Sequence, residues 1–172
     1  MPSWERGLPP RDAIRDFAIR QFNKSPGCLA HVEVSDNSLT RPQLRSMYAT
    51  HDAFVLPTRG EGFGLPIAEA MSMAKPAIAT AHSGPSDFLT NFNSYPVKIT
   101  GLDNNGFGVI DQKSLSSQLR AVFDRRDEAA VKGKRARQDM VAKYHPKVVV
   151  GITVKRLQQI EKQLAGQPNN AG

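Results

Sequence analysis

Residues 52–81 read DAFVLPTRGEGFGLPIAEAMSMAKPAIATA and predict a strand, a loop, a helix and a second strand. The run at 52–57 is almost continuously apolar and ends at a proline, which is typical of a buried parallel strand. A helix is predicted from Leu65 to Ala74, since Pro66 is tolerated in a first turn. Residues 75–81 predict another short buried strand. Strands that alternate with helices in this way predict an α/β layer fold with a mainly parallel sheet.

The rest of the chain continues this alternation on both sides. Upstream, helices are predicted at 11–22 and 42–50, with a strand at 28–34 between them. Downstream, a strand is predicted at 94–99, a turn-rich loop follows it, and a last short strand lies at 107–110. The remainder is predicted to be helical, with Pro146 at the start of the final helix. We therefore expect about four parallel strands followed by C-terminal helices.

The composition excludes several classes of protein. The chain has 172 residues, of which 40% are hydrophobic and 23% charged, as in an ordinary globular domain. It has no apolar run of the roughly 18 residues that a transmembrane segment needs. The single cysteine, Cys28, cannot form an internal disulfide, and the four histidines show no metal-ligand spacing. We expect a cytoplasmic location, no metal and no cofactor.

The formal net charge of +7 favours an anionic partner. Nucleic acid, a membrane surface and a phosphorylated small molecule all fit that charge. The basic segment KGKRAR at 132–137 fits an exposed helix face better than a nucleic-acid site, because no aromatic residues are interleaved to stack on bases. We expect no nucleic-acid partner.

The glycine-rich loop at 58–64 is the strongest candidate for a functional site. It follows a buried strand, and ligands of parallel α/β folds bind beyond the C-terminal ends of strands. Glycines let the backbone approach a ligand, and the first turn of the next helix offers amides that favour a phosphate. Glu61 in the loop and Glu69 in the helix could accept hydroxyl donors on either side of that phosphate. A nucleotide sugar has this layout, although the same pattern also fits a loop and a helix face that serve only the fold.

The stretch from Asp52 to Leu89, together with NSYPV and GKRARQDMVAKYHPKVV, closely resembles the donor-binding half of retaining glycosyltransferases of the GT-B fold (glycosyltransferase family four). The motif is a glutamate, seven residues and a second glutamate, here Glu61 and Glu69, and the resemblance covers residues 36 to about 160. It implies a hexosyltransferase domain that binds a UDP- or GDP-sugar and transfers the hexose with retention, without a metal.

The resemblance also implies roles for individual residues. Glu61 would be the carboxylate at the catalytic centre and contact hydroxyls of the transferred sugar, and Glu69 would bind the ribose hydroxyls. The backbone along the sugar and the diphosphate would be that of Gly62, Phe63, Gly64 and Leu65.

Four residues near the loop are weaker candidates. Arg59 could aid phosphate binding, although an exposed ion pair explains it equally well. Ser83 and Gly84 lie on the next loop and are expected to line the nucleotide pocket. His82 could hydrogen-bond a ligand or merely end a strand.

The family's donor domain has six strands in the order 3-2-1-4-5-6, and the predicted strands match its third to sixth. We therefore expect an incomplete Rossmann-like doubly wound sheet, as half of a GT-B fold. Residues 1–27 would be a poorly matched N-terminal segment, 28–165 a partial donor-binding domain and 166–172 a disordered tail. SWERG at 3–7 faintly resembles the family's phosphate-binding motif, and Arg6 would then be its arginine.

Two functional hypotheses follow. The first is a retaining hexosyltransferase that needs an acceptor domain on another segment or chain, so that this chain alone is inactive. The second is an inactive remnant that binds a nucleotide or a partner protein. The acceptor, the sugar and the nucleobase are not indicated by the sequence.

Overall fold

The computed structural model describes residues 9–22, 31–35 and 37–165. The chain divides into two compact units, residues 1–40 and residues 41–172. In the first unit, the predicted helix forms as α1 (Pro10–Phe22), with Asp12 in its first turn and Arg20 in its last, as the helix dipole favours. Arg6 and the predicted tail at 166–172 lie outside the described residues.

The predicted strand at 28–34 is wrong over its described part. Residues 31–34 form no strand, and Val32 and Val34 are exposed. Alternating apolar residues make a strand only when a neighbouring strand supplies ladder hydrogen bonds, and no described strand pairs with this segment. Cys28 and residues 29–30 lie outside the described residues.

A parallel sheet of three strands forms the centre of the second unit. The strands β1 (Phe54–Leu56), β2 (Ala77–Thr80) and β3 (Tyr95–Val97) lie in the order β1-β2-β3. In the register, Val55 is opposite Ile78, which is opposite Tyr95. β1 and β2 confirm the strands predicted at 52–57 and 75–81, and β3 confirms the first part of the strand predicted at 94–99. Their order and direction are those of the last three strands of a doubly wound sheet.

The strand predicted at 94–99 is divided in two. After β3, the chain forms β4 (Ile99–Leu102), which pairs antiparallel with β5 (Gly108–Ile110) as a separate hairpin. The division lies at Lys98, whose amide donates to the Ser114 hydroxyl at 3.0 Å and whose carbonyl accepts from the Asp111 amide at 3.0 Å. The hairpin therefore includes part of the loop predicted after residue 99.

The predicted helices of this unit all form. Their bounds are α2 (Arg41–Thr50), α3 (Leu65–Ser72), α4 (Gln112–Asp124), α5 (Arg126–Tyr144) and α6 (Pro146–Ala165). A short 3₁₀ turn follows β2 at Gly84–Asp87.

Helices cover both faces of the parallel sheet. Residues of α3 and α5 share one core cluster with β2, which includes Ile67, Met71, Ala77, Ala79, Ala136 and Met140. Residues of α4 pack on the other face around Ile78, Tyr95 and Val97. An alanine at Gly133 would place its Cβ 2.2 Å from the carbonyl oxygen of Ala74, so only glycine lets α5 approach the end of α3 this closely. This packing fixes the helix that follows the glycine loop.

Two apolar surfaces of this unit are left uncovered by the described residues. At the sheet edge formed by β1, Val55, Leu119 and Phe123 are 42%, 41% and 62% exposed and line a cavity of about 420 Å³. On α6, large apolar side chains such as Ile152 and Leu157 are exposed. Among the described helices, none has the length and apolar character that a membrane span requires.

Candidate functional site

The loops that follow β1 and β2 meet at one edge of the sheet. The amide of Glu61 donates to the Ser83 hydroxyl at 2.9 Å, and the amide of Gly84 donates to the Glu61 carbonyl at 3.1 Å. The structure thus brings together Glu61, Ser83 and Gly84, which the sequence placed on separate loops. The Ser83 hydroxyl and the Gly84 amide are thus both bonded to the backbone of Glu61, so both residues shape the loop that carries Glu61.

Two glycines at this meeting point are required by close contacts. A Cβ at Gly84 would lie 2.0 Å from the carbonyl oxygen of Gly62. Gly64, the N-cap of α3, has a φ of 88°, in the left-handed region that glycine adopts at little cost. A Cβ there would also lie 3.0 Å from Ile67 and 3.1 Å from Pro85. Gly64 therefore lets the chain turn from the loop directly into α3, and Gly84 lets the two loops approach each other.

Ser83 has a φ of 56° and a ψ of −141°, a conformation that residues other than glycine rarely adopt. Its hydroxyl accepts from the Glu61 amide and donates to the carbonyl of His82 at 2.6 Å. The second of these bonds helps to hold the strained backbone, while the first fixes the Glu61 loop. The side chain of His82 is directed to the hairpin, since its Cδ2 would lie 3.1 Å from a Cβ at Gly108.

Phe63 anchors the glycine loop to the core. Its ring lies 5.2 Å from that of Phe88 and 5.4 Å from that of Tyr144, measured between centroids. Aromatic pairs at these separations contribute beyond the area that they bury. The side chain in the middle of Gly62-Phe63-Gly64 is therefore directed inward, which fixes the backbone on either side of it.

The first turn of α3 is an anion-binding feature. The amides of Leu65 and Ile67 belong to this turn, where the helix supplies no carbonyl partner, and the first intrahelical bond runs from the Ala68 amide to the Gly64 carbonyl at 3.1 Å. Leu65 is 65% exposed, so solvent reaches this end of the helix. Partial positive charge at a helix N-terminus favours a phosphate here.

The two glutamates lie before and after this helix terminus. Glu61 is partly buried in the loop, three residues before the N-cap Gly64, and Glu69 is exposed at the fifth position of α3. Glu69 accepts a hydrogen bond at 3.1 Å from the hydroxyl of Tyr48, which is buried on α2. Burial, followed by the hydrogen bond to Glu69 and its negative charge, raises the pKa of Tyr48 to about 12.

The β4–β5 hairpin holds the start of the glycine loop. The amide of Gly108 donates to the Arg59 carbonyl at 2.8 Å. The Arg59 guanidinium forms an ion pair with Asp103 and lies 5.6 Å from the centroid of the Phe107 ring. Arg59 thus forms an ion pair and is more than half exposed, and its role in phosphate binding stays a prediction.

The basic segment at 132–137 makes several contacts within the chain. Lys132 pairs with Glu128 at 3.0 Å and lies 4.1 Å from the centroid of the Tyr95 ring. Arg135 pairs with Asp139 at 3.1 Å, and Arg137 donates to the carbonyl of Ser72. Part of this segment therefore stabilises α5 and its attachment to α3. Across the described residues, no three side chains of the types His, Cys, Asp and Glu are grouped so that they could hold a metal ion.

Comparison with known sequences identifies the family. The sequence model of the family described as "Glycosyl transferases group 1" matches residues 14–121. The chain belongs to this family. The glycine loop, α3 and both glutamates lie within the matched range.

Curated relatives are much longer than this chain. The sulfoquinovosyl transferase SQD2 of Arabidopsis thaliana is 29% identical over 106 residues, which are 62% of this chain and 20% of that protein. Sucrose synthase 1 of Hordeum vulgare is 32% identical over 78 residues, or 45% of this chain and 10% of that protein. The chain thus spans a fifth or less of the length of these relatives.

Solved structures confirm the fold. The sucrose-phosphate synthase of Thermosynechococcus elongatus aligns with a TM-score of 0.59 and 19% identity, over 91% of this chain and 35% of that one. Anabaena HepE, solved in complex with UDP and glucose, aligns with a TM-score of 0.59 and 18% identity, over 91% of this chain and 37% of that one. The predicted GT-B architecture, a parallel sheet with C-terminal helices, is confirmed by this likeness.

The group 1 motif predicts the two carboxylates but not the residues that hold them. From the sequence, Tyr48 is only a residue of the helix predicted at 42–50, and the hairpin residues Asp103 and Phe107 belong only to the predicted loop and the strand at 107–110. A tyrosine ahead of the first buried strand is a weak signal, because tyrosine is common on half-buried helix faces.

Proposed function

We propose that residues 58–84 bind a nucleotide-sugar donor, a UDP- or GDP-hexose, for retaining sugar transfer. The observation that carries this proposal is the placement of Glu61 before, and Glu69 after, the N-terminus of α3. A diphosphate bound at that terminus would have a carboxylate on each side. Hexose hydroxyls would face Glu61, and ribose hydroxyls would face Glu69, because an ionised carboxylate only accepts hydrogen bonds. The complex of HepE with UDP and glucose is consistent with such a ligand for this fold.

Each part of the site would have a separate task in the reaction. The amides of Leu65 and Ile67 would stabilise the negative charge that builds up on the leaving diphosphate. Glu61 would hold the hexose so that its anomeric carbon is open to the acceptor. The loop contacts made by Ser83 and Gly84 would keep Glu61 in place before the donor binds, so that little order is lost on binding.

The acceptor site is proposed to lie on residues beyond this unit. The chain covers 35% and 37% of the two solved structures, and the apolar surface at the β1 edge is uncovered by the described residues. A further domain that faces the loops after β1 and β2 would hold the acceptor against the donor, and such proximity can supply several kcal/mol of the barrier. The alternative is a domain without catalysis that binds a nucleotide or, at the exposed β1 edge, a partner protein. We retain the cytoplasmic location as a prediction.

Calorimetric titration of two variants tests the division of labour. Glu69→Ala is expected to weaken binding of both UDP and UDP-glucose about tenfold or more, because charge-assisted bonds to the ribose hydroxyls are lost. Glu61→Ala is expected to weaken UDP-glucose and to leave UDP binding unchanged or slightly tighter. GDP and GDP-mannose are titrated in parallel to find the nucleobase.

Glu161→Ala is the matched control, because Glu161 is an exposed glutamate on α6 and is remote in sequence from the loop. It should bind every ligand as the wild type does. Equal losses for nucleotide and nucleotide sugar in both site variants would mean that Glu61 and Glu69 serve only the fold, and the proposal would be wrong.

A further inference from the structure

We propose that Tyr48 is a positioning residue that holds the Glu69 carboxylate for the nucleoside side of the donor. This inference rests on the proposed function and extends it to a residue outside the family motif. The Tyr48 hydroxyl lies 3.1 Å from Oε2 of Glu69 and 3.4 Å from the carbonyl oxygen of Pro66. It therefore contacts both the carboxylate and the first turn of α3.

Tyr48 is itself held rigidly. Only 7% of the residue is exposed, and its ring contacts that of Phe54 at 5.8 Å and 62°, an edge-to-face arrangement. Phe54 belongs to β1, so the Tyr48 ring is held by the sheet and by α2, the helix that carries it. The side chain of Glu69 is less restricted than that of Tyr48, because it is exposed and several rotamers are open to it. A fixed hydroxyl that donates to a mobile carboxylate selects one orientation of that carboxylate.

The bond leaves the carboxylate able to bind a diol. A hydroxyl has a single hydrogen to donate, whereas an ionised carboxylate offers about four acceptor positions. The positions that Tyr48 does not use are available to the two neighbouring hydroxyls of a ribose. Because burial and Glu69 raise the pKa of Tyr48 to about 12, the hydroxyl stays protonated and remains a donor throughout the neutral range.

The test compares ribonucleotides with analogues that lack the diol. Tyr48→Phe keeps the ring and removes only the hydroxyl. We expect it to weaken UDP or GDP about three- to tenfold, the effect of one lost hydrogen bond. It should not change the affinity for the 2′,3′-dideoxy analogue of the same nucleotide. In a Glu69→Ala background, the Tyr48→Phe change should have no further effect, because the two residues act through one interaction.

Tyr95→Phe provides the matched control. It makes the same chemical change at a buried tyrosine on the other face of the sheet, where no described residue bonds the hydroxyl. All nucleotides and analogues should bind this variant as they bind the wild type.

The outcomes separate this inference from the proposed function. An equal loss for ribonucleotide and dideoxy analogue in Tyr48→Phe would show a general structural effect and overturn the inference, as would no loss for either. If Glu69→Ala binds UDP and GDP normally, or if the wild type binds neither, the proposed role of Glu69 fails and the inference with it. A loss in Glu69→Ala without a loss in Tyr48→Phe refutes the positioning role alone.

Discussion

Replacement of Gly84 by alanine tests whether the two loops must touch for the site to keep its shape. A Cβ at this position would lie 2.0 Å from the Gly62 carbonyl oxygen and 2.9 Å from the Phe63 Cα. Carbon and oxygen atoms in ordinary contact are more than about 3 Å apart, so the loops must separate by about 1 Å or more. The φ of Gly84 is outside the left-handed region, so the substitution tests the contact rather than backbone strain.

The size of the effect follows from the bonds that this separation breaks. The Gly84 amide loses the Glu61 carbonyl, and the Glu61 amide loses the Ser83 hydroxyl. At about 0.5–1.5 kcal/mol for each bond, local opening becomes easier by about 1–3 kcal/mol. We expect the amides of Glu61 and Gly84 to exchange with solvent roughly 5- to 150-fold faster.

Hydrogen exchange measured on peptides that cover 58–64 and 81–88 gives the increase in exchange rate of these amides directly. Gly101→Ala is the control, because a Cβ there would meet no atom within 4 Å. Peptides from β2 and α5 should exchange equally in the wild type and both variants. If the loop peptides of Gly84→Ala exchange no faster than those of Gly101→Ala, the two loops do not depend on each other and the argument is wrong.

Four further predictions concern other parts of the chain. The tyrosinate absorbance that Tyr48→Phe removes should titrate near pH 12. The pKa of this tyrosine in the unfolded chain is 10, so its contribution to stability is complete below pH 10 and is lost as the pH rises toward 12. A loss of thermal stability between those pH values that is equal in Tyr48→Phe and the wild type would contradict this. Arg59→Gln removes an exposed ion pair and should lower the free energy of unfolding by less than about 1 kcal/mol in urea titrations, and a larger loss would show that the hairpin depends on it. The wild type should bind a hydrophobic dye strongly, and Phe123→Glu should bind it less, because Phe123 is exposed at the β1 edge. A monodisperse monomer that unfolds cooperatively and binds little dye would show that this edge is covered. Purified chain alone should transfer no sugar to a panel of acceptors followed by mass spectrometry, and robust transfer would refute the need for a further domain.

Local signals in the sequence were sufficient for most of the fold. The strands β1 and β2 are short apolar runs between turns, and the last helix begins at Pro146, so neighbouring residues alone predict these elements. The segment at 31–34 has alternating apolar residues, which also predict a strand, but it forms none because strand formation depends on a partner elsewhere in the chain. A single sequence does not show which strand, if any, pairs with such a segment.

In the site, too, features set by neighbouring residues are predictable from the sequence, and contacts between residues distant in sequence are not. Glu61 and Glu69 lie within one motif, and their spacing alone places them around a helix terminus. The bond from Tyr48 to Glu69 joins residues 21 positions apart, and the bond from the Ser83 hydroxyl to the Glu61 amide joins residues 22 positions apart. Such contacts depend on how helices and loops pack in three dimensions, so the roles of Tyr48 and Ser83 became visible only in the structure.

The supports of the two glutamates come from different parts of the chain. Glu61 lies in a loop held by the segment after β2 and by the β4–β5 hairpin, whereas Glu69 lies on a helix and is held by Tyr48 of α2. A change in the hairpin therefore reaches one carboxylate through the backbone of Arg59 and leaves the other unaltered. Under the proposed division of roles, this separation makes the two halves of the site independently adjustable, so that sugar preference can be redesigned while nucleotide affinity is retained.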